Sequence, residues 1–271
     1  GVGIVNGMGL LSKADGFLGN DLVKIPWPEQ ATQVKDAMLK LGMQKQVDNV
    51  TTSLNRAAEQ ASGVAIDVFN KSKDAFDMFR AVLQQLEQQY REAVLKLDSR
   101  IAISYDDKGK LEVHFQAAND VLVFIMQTHV FNFDPSHSIH RSSYTKDDPL
   151  RSHCGMICIY NFLTDSLKYK RLSDNGIMRG RVFINKDGHY FVEGKKQLGI
   201  LFNNFETEEI TLDAVAKIIN SAMSYALESD ANVPGFDMMQ VTNLQALSER
   251  SGIGFDSGKS FGFQMMHNEN K

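Results

Sequence analysis

The chain has 271 residues, 43% of them hydrophobic and 23% charged, which is the balance of a globular protein with a real core rather than of a disordered one. Its 29 basic and 33 acidic side chains give a formal charge of -4 and are interspersed, with no basic block to neutralise phosphates, so nucleic acid is not expected as a partner. No run approaches the roughly 18 apolar residues of a membrane-spanning helix. The densest stretch, Val121 to Phe133, is broken by Gln127, Thr128, His129 and Asn132, and a soluble chain is expected.

Two further features bear on compartment. The sequence begins Gly-Val-Gly rather than with Met, which is what removal of an N-terminal segment would leave. Its cysteines, Cys154 and Cys158, sit four apart, a spacing that spans roughly 13 Å on a strand or 6 Å on a helix and offers no disulfide framework. Such poverty fits a reducing cytosol and a disulfide-free envelope protein equally.

In chain order, the first thirty residues carry turn chemistry: Asp15-Gly16, Gly19-Asn20 and the clamp Pro26-Trp27-Pro28, whose fixed φ angles forbid a continuous helix. Val34, Ala37, Met38 and Leu41 then fall on one helical face before Gly42. Val47, Val50, Leu54, Ala57, Ala58 and Ala61 repeat the pattern, with an end expected at Gly63. Phe76, Phe79, Leu83, Leu86, Tyr90, Ala93 and Leu97 follow at alternating spacings of three and four, a heptad stripe. That stripe is expected to pack on the two helices before it or on a second subunit.

After Asp98 the rhythm changes to every second residue. Arg100 to Tyr105 and Lys110 to Phe115 flank Asp106-Asp107-Lys108-Gly109 and predict a hairpin. Val121 to Phe133 reads as a long strand or as a helix breaking at Thr128. Asp134 to His153 is polar and shows no period, and irregular segments of that length are functional or mobile. Gly180 to Ile184 and His189 to Val192 surround the turn Asn185-Lys186-Asp187-Gly188, and Gln197 to Asn203 is expected as a third strand of a meander. Thr211 caps a helix carrying Leu212, Val215, Ile218, Ile219, Ala222 and Ala226 on one face. From Ser251 on, the chain reads as a tail or an edge strand.

Four blocks in the first seventy residues carry a family resemblance: Asp15-Gly16-Phe17-Leu18-Gly19-Asn20, Lys24-Ile25-Pro26-Trp27-Pro28-Glu29, Leu39-Lys40-Leu41-Gly42-Met43 and Leu54-Asn55-Arg56-Ala57-Ala58-Glu59. In these the chain resembles the bacterial domain-of-unknown-function family 4197. The resemblance implies a helical fold and frequent export to the bacterial envelope, and it carries no established activity. The strand-rich remainder departs from it. In Asn55-Arg56-Ala57-Ala58-Glu59, small residues suit close helix approach and Arg56 and Glu59 lie one turn apart. This reads as a structural signature, with a binding role for Asn55 and Arg56 as the alternative.

Two constellations could carry chemistry. In one, Cys154 opens an apolar helix over Cys154 to Leu163, with His189 opening a later strand and Asn203 or Asn204 orienting it, the order found in papain-like cysteine hydrolases. A buried inert Cys154 and a turn at Asp187-Gly188-His189 are the plainer reading of the same residues. His129, His137, His140 and His153 crowd one region, but spacing specifies no complete ligand set, so no metal is assigned. The two Asp/Asn-Gly turns lack the later bidentate Glu of a calcium loop, no glycine-rich phosphate loop is placed between a strand and a helix, and no cofactor is expected.

The sequence thus predicts an α+β protein: a helical module over 1–98, an antiparallel sheet with one or two covering helices over 99–250, and a tail over 251–271. The expected function is non-catalytic binding or assembly in the envelope or periplasm. A protein partner or a second copy would be contacted through the heptad helix or through the 134–153 segment, where His137, His140 and Tyr144 stand. The alternative is the cysteine hydrolase of Cys154, His189 and Asn203.

Overall fold

A computed structural model describes residues 2–228, 241–243 and 246. Six α-helices are described: α1 Val2–Leu11, α2 Thr32–Lys40, α3 Gln44–Leu95, α4 Ser143–Asp147, α5 Thr164–Lys168 and α6 Leu212–Glu228. The strands are β1 Ile103–Gly109, β2 Glu112–Ala117, β3 Asp120–Met126, β4 Phe131–Asn132, β5 His153–Leu163, β6 Asn175–Asn185, β7 Tyr190–Gly194 and β8 Val241–Asn243. They form one antiparallel sheet in the order β1-β2-β3-β5-β6-β7, with β4 beside β5 beyond the end of β3, and β8 beside β6. The expected fold class is the observed one: a long N-terminal helix followed by an antiparallel sheet with covering helices.

The heptad stripe is spent on this sheet. Phe76, Phe79, Leu83 and Leu86 of α3 join Val215, Ile218, Ile219 and Ala222 of α6 in one core with Phe115, Phe124, Ile157, Ile159 and Val182. Phe79 meets Phe124 at 5.7 Å between ring centroids, and Tyr90 donates to Asn220 of α6 at 2.7 Å. A straight apolar stripe suits a flat sheet as well as another helix, so the spacing alone did not name its partner. This corrects the expectation of packing on the two preceding helices: the stripe's residues from Phe76 to Leu86 are buried against the sheet and α6, while Ala93 and Leu97 at its end are exposed. Helix α3 also runs through Gly63, where an end was expected. At 52 residues it spans about 78 Å.

Helix and sheet approach each other closely at Gly155. A Cβ there would lie 2.0 Å from Ser72 Oγ and 3.5 Å from Val68 Cγ1. Only glycine lets α3 lie this close to β5.

Other expectations shift in detail. The first hairpin forms, but Asp106 and Asp107 pair within β1, and the reversal falls between Gly109 and Glu112. The stretch from Val121 to Phe133 carries two strands, most of β3 and all of β4, separated by the non-strand residues 127–130. The third meander strand is absent from its place: Lys196–Gly199 is a 3-10 turn, and the chain after it folds back along β7, where Val192 donates its amide to the Phe202 carbonyl. Thr211 caps α6 as expected, its Oγ1 accepting from the Ala214 amide at 3.2 Å. The segment from Ser251 lies outside the described residues.

Substituting Gly155→Ala should destabilise the protein by about 1–3 kcal/mol through overpacking. Ser72→Ala in the same chain should restore part of that loss. Urea unfolding of the two single variants and the double checks it, and strict additivity would mean the two residues do not press on each other.

Candidate functional site

The segment without sequence periodicity is ordered by side-chain caps. Asp134 Oδ1 accepts from the Ser136 amide at 2.8 Å, and the Ser136 hydrogen bonds hold its carboxyl below the ordinary range. His137 Nδ1 accepts from the Ile139 amide at 3.3 Å and heads the 3-10 turn Ser138–Arg141. Ser142 Oγ accepts from the Thr145 amide at 3.1 Å and opens α4, and Asp148 Oδ1 accepts from the Leu150 amide at 3.0 Å and opens the turn Pro149–Ser152. Each short turn is stopped by the next cap, which is why no helical period develops.

A polar hub fastens this chain of turns to the sheet. Tyr144 donates its hydroxyl to Asp187 Oδ2 at 2.8 Å and accepts from Asn185 Nδ2 at 3.0 Å. Arg151 donates Nε to Asp187 at 2.9 Å and Nη1 to the Tyr144 carbonyl at 3.0 Å, and its guanidinium lies 4.3 Å from the Tyr144 ring centre. The same ring stacks on His189 at 4.6 Å and 7°. Burial pushes the Tyr144 hydroxyl well above its ordinary pKa, so it remains a donor at neutral pH. Asn185 is fully buried, and its Oδ1 accepts from the amides of Asp187 and His189, closing the β6–β7 turn.

Between this segment and the chain after β7 lies an open cleft of about 540 Å³. Phe191 and Glu193 of β7 line it, with His137, Ser138 and Ser142 from one side and Asn203 to Glu206 from the other. Beneath it Phe133, Phe183, Phe191 and Phe205 form an aromatic cluster with Ile139 and Cys154. Phe191 stacks on Phe183 at 5.0 Å and meets Phe205 edge-on at 5.5 Å.

The structure therefore brings His137 and Asn203 to one cleft, while Cys154 and His189, the other two members of the proposed catalytic set, do not line it. The helix expected over Cys154 to Leu163 is strand β5, so no helix dipole faces the thiol. A continuous apolar run buried on both sheet faces has no period to tell it from a helix. Cys154 is 0% exposed, and burial pushes its thiol far up. His189 Nδ1 is bound to the Phe205 carbonyl at 2.9 Å, and Asn203 Nδ2 to the Gly199 carbonyl at 2.6 Å. No hydrogen bond joins Cys154 to either. His140 Nε2 lies 3.3 Å from the Phe133 carbonyl. Among the described residues no three His, Cys, Asp or Glu side chains are grouped to hold a metal ion.

Asn55 and Arg56 lie in the first part of α3, outside the cleft lining, in another role. Asn55, 0% exposed, accepts from the Ile25 amide at 2.8 Å and donates to the Ile25 and Thr51 carbonyls. Glu59 accepts from the amides of Phe17 and Leu18 at 3.2 and 3.3 Å, and Arg56 joins Glu59 at 2.7 Å to Asp15 at 2.8 Å. Asp15 holds φ at 67°, and a Cβ on Gly16 would lie 2.3 Å from the Leu11 carbonyl oxygen. Trp27 Nε1 donates to Thr51 at 3.0 Å. The Asn-Arg-Ala-Ala-Glu block staples residues 15–25 to α3, Thr51 adds Trp27, and every polar end of Asn55 is used there.

Residues 1–94 match the family described as protein of unknown function DUF4197. The DUF4197 match spans about a third of the chain and stops one residue before α3 does, so it includes the half of α3 that lies on the sheet. Neither a curated protein nor a solved structure matches this chain.

Two predictions follow from these contacts. Burial raises the Glu59 carboxyl, but the hydrogen bonds from Arg56, Leu18 and Phe17 outweigh it and leave the group below its ordinary value. A depressed carboxyl contributes stability above its unfolded pKa, about 4.3, that is lost as pH falls through the folded value. Fluorescence of Trp27, the single tryptophan, should report release of residues 15–27 in that acid range, and Glu59→Gln should remove this pH dependence. At the hub, Tyr144→Phe should cost about 1–2 kcal/mol. Its amide exchange should quicken over residues 138–152 while α6 stays protected; uniform quickening would mean the hub does not act locally.

Proposed function

We propose that this chain is a non-catalytic binding protein whose contact surface is the cleft framed by the 134–153 segment. The observation that carries this is the contrast between fixed frame and open space. A segment of short turns is locked to β6 and β7 by Tyr144, Arg151, Asn185 and Asp187, and it shapes a cleft of about 540 Å³, within the ordinary range for binding sites. The groups that general acid–base or nucleophilic chemistry would need are committed elsewhere: the Cys154 thiol is buried, and His189 is held by a backbone carbonyl and by Tyr144. Work in the bacterial envelope is part of the proposal and rests on the family resemblance of the first third.

In the folded protein, Cys154 should alkylate with iodoacetamide at least about 100-fold more slowly than a free thiol, read peptide by peptide in a mass spectrometer. Alkylation as fast as a free thiol would show an accessible nucleophile and sink the non-catalytic reading. For the surface itself, a photo-crosslinking residue at Ser138 should give a discrete adduct in cells, and the same residue at exposed Lys71 on α3 should not; identical adducts at both positions would remove the cleft as the contact surface.

A further inference from the structure

We infer that the cleft receives a guanidinium, the side chain of an arginine on a partner polypeptide; this rests on the cleft being the contact surface. The charged side chains lining it are both carboxylates, Glu193 and Glu206, and no lysine or arginine lines it. Glu193 already shows the chemistry that suits this wall, because Arg181 reaches it across the β6–β7 pair at 2.7 Å. Glu206 is exposed and has no ion pair or hydrogen bond among the described residues. Its carboxylate is an uncommitted part of the lining.

The neutral polar groups lean the same way. Asn203 spends Nδ2 on the Gly199 carbonyl, which leaves its Oδ1 as the free end. Ser138 and Asn204 line the cleft with no side-chain hydrogen bond among the described residues, and each side chain can accept. A ligand rich in donors is what such a wall can satisfy. The floor adds shape: Phe191 and Phe205, 5.5 Å apart edge-on, present hydrocarbon beside the carboxylates. A flat cation with several in-plane donors and weak hydration stacks on such rings while bonding carboxylates, and among side chains that is arginine. A lysine ammonium carries the charge without the plane. The Asn204 amide both donates and accepts, as an extended backbone passing the cleft would need.

The test uses the full chain and isothermal titration with acetyl-Gly-Gly-Arg-Gly-Gly-amide, its citrulline isostere and its lysine counterpart. The arginine peptide should bind about threefold to tenfold more tightly than the citrulline peptide, and Glu206→Gln should erase most of that difference. It should also bind more tightly than the lysine peptide. Equal affinity for arginine and citrulline, or for arginine and lysine, overturns the guanidinium assignment while leaving the cleft as a binding surface. Ser138→Trp, a substitution at an exposed position, narrows the cleft without touching the core. If that variant, folded by circular dichroism, binds the arginine peptide as well as the native chain does, the cleft itself is wrong. No detectable binding of the arginine peptide at millimolar concentration also overturns the assignment.

Discussion

The contact between Ser72 of α3 and the bare backbone of Gly155 in β5 sets the rest of the architecture. A helix can lie flat on a sheet only where the strand beneath it yields room, and here one residue yields it. With position 155 facing the helix, the two-residue alternation of a strand turns Cys154 to the other face. There Cys154 joins the aromatic cluster beneath the 134–153 segment, and Ile157 and Ile159 return to the helix side. One close approach therefore fixes which face of β5 carries the core and which face carries the cleft.

The first third of the chain is held by a different kind of force. Among residues 7–63 the only buried apolar side chain other than glycine or alanine is Val47, whereas Asn55, Glu59 and Ser62 are buried polar groups. The stripe of α2 that the sequence marks as apolar, Val34, Ala37, Met38 and Leu41, is largely exposed. Attachment of this region depends on hydrogen bonds that satisfy otherwise orphaned amides, at Ile25, Phe17 and Leu18. That is why its sequence signature is an Asn-Arg-Ala-Ala-Glu block and not a hydrophobic one. Helix α3 belongs to both halves: its first part receives the staples, and its second part carries the sheet.

How much of this was legible depends on whether a residue's partner is local. The change from helical to alternating rhythm near residue 98, the β6–β7 turn and the Thr211 cap follow from neighbours in sequence, and all three are observed. The heptad stripe was visible, but its partner was not, because a stripe is a property of one helix and burial is a property of two surfaces. Gly63 was read as a helix end, yet within α3 its absent side chain meets nothing closer than Ser12 Cβ at 3.8 Å, so the helix passes through at modest cost. The run Cys154 to Leu163 misled for the opposite reason: burial on both faces erased the period. The caps at Asp134, Ser142 and Asp148 were present in the sequence, but only their succession shows that the segment is ordered.

The same division separates the candidate residues. Asn55, Tyr144 and His189 were singled out for chemistry they are free to perform only if unpartnered, and each is occupied in holding two pieces of chain together. Their residue types recommended them for function and equally for bridging, and only the geometry distinguishes the two. Glu206 and Ser138 attract no notice in the sequence, and Asn204 was read there only as an orienter of His189, yet these are the side chains left uncommitted where the surface is concave. A buried polar group without a partner costs stability, whereas one at the wall of an open cleft costs nothing until a ligand arrives. Selection for stability alone gives no reason to gather carboxylates and free amides above an aromatic floor. Their concentration in one concavity, beside a frame built to hold still, is the physical ground for placing recognition there.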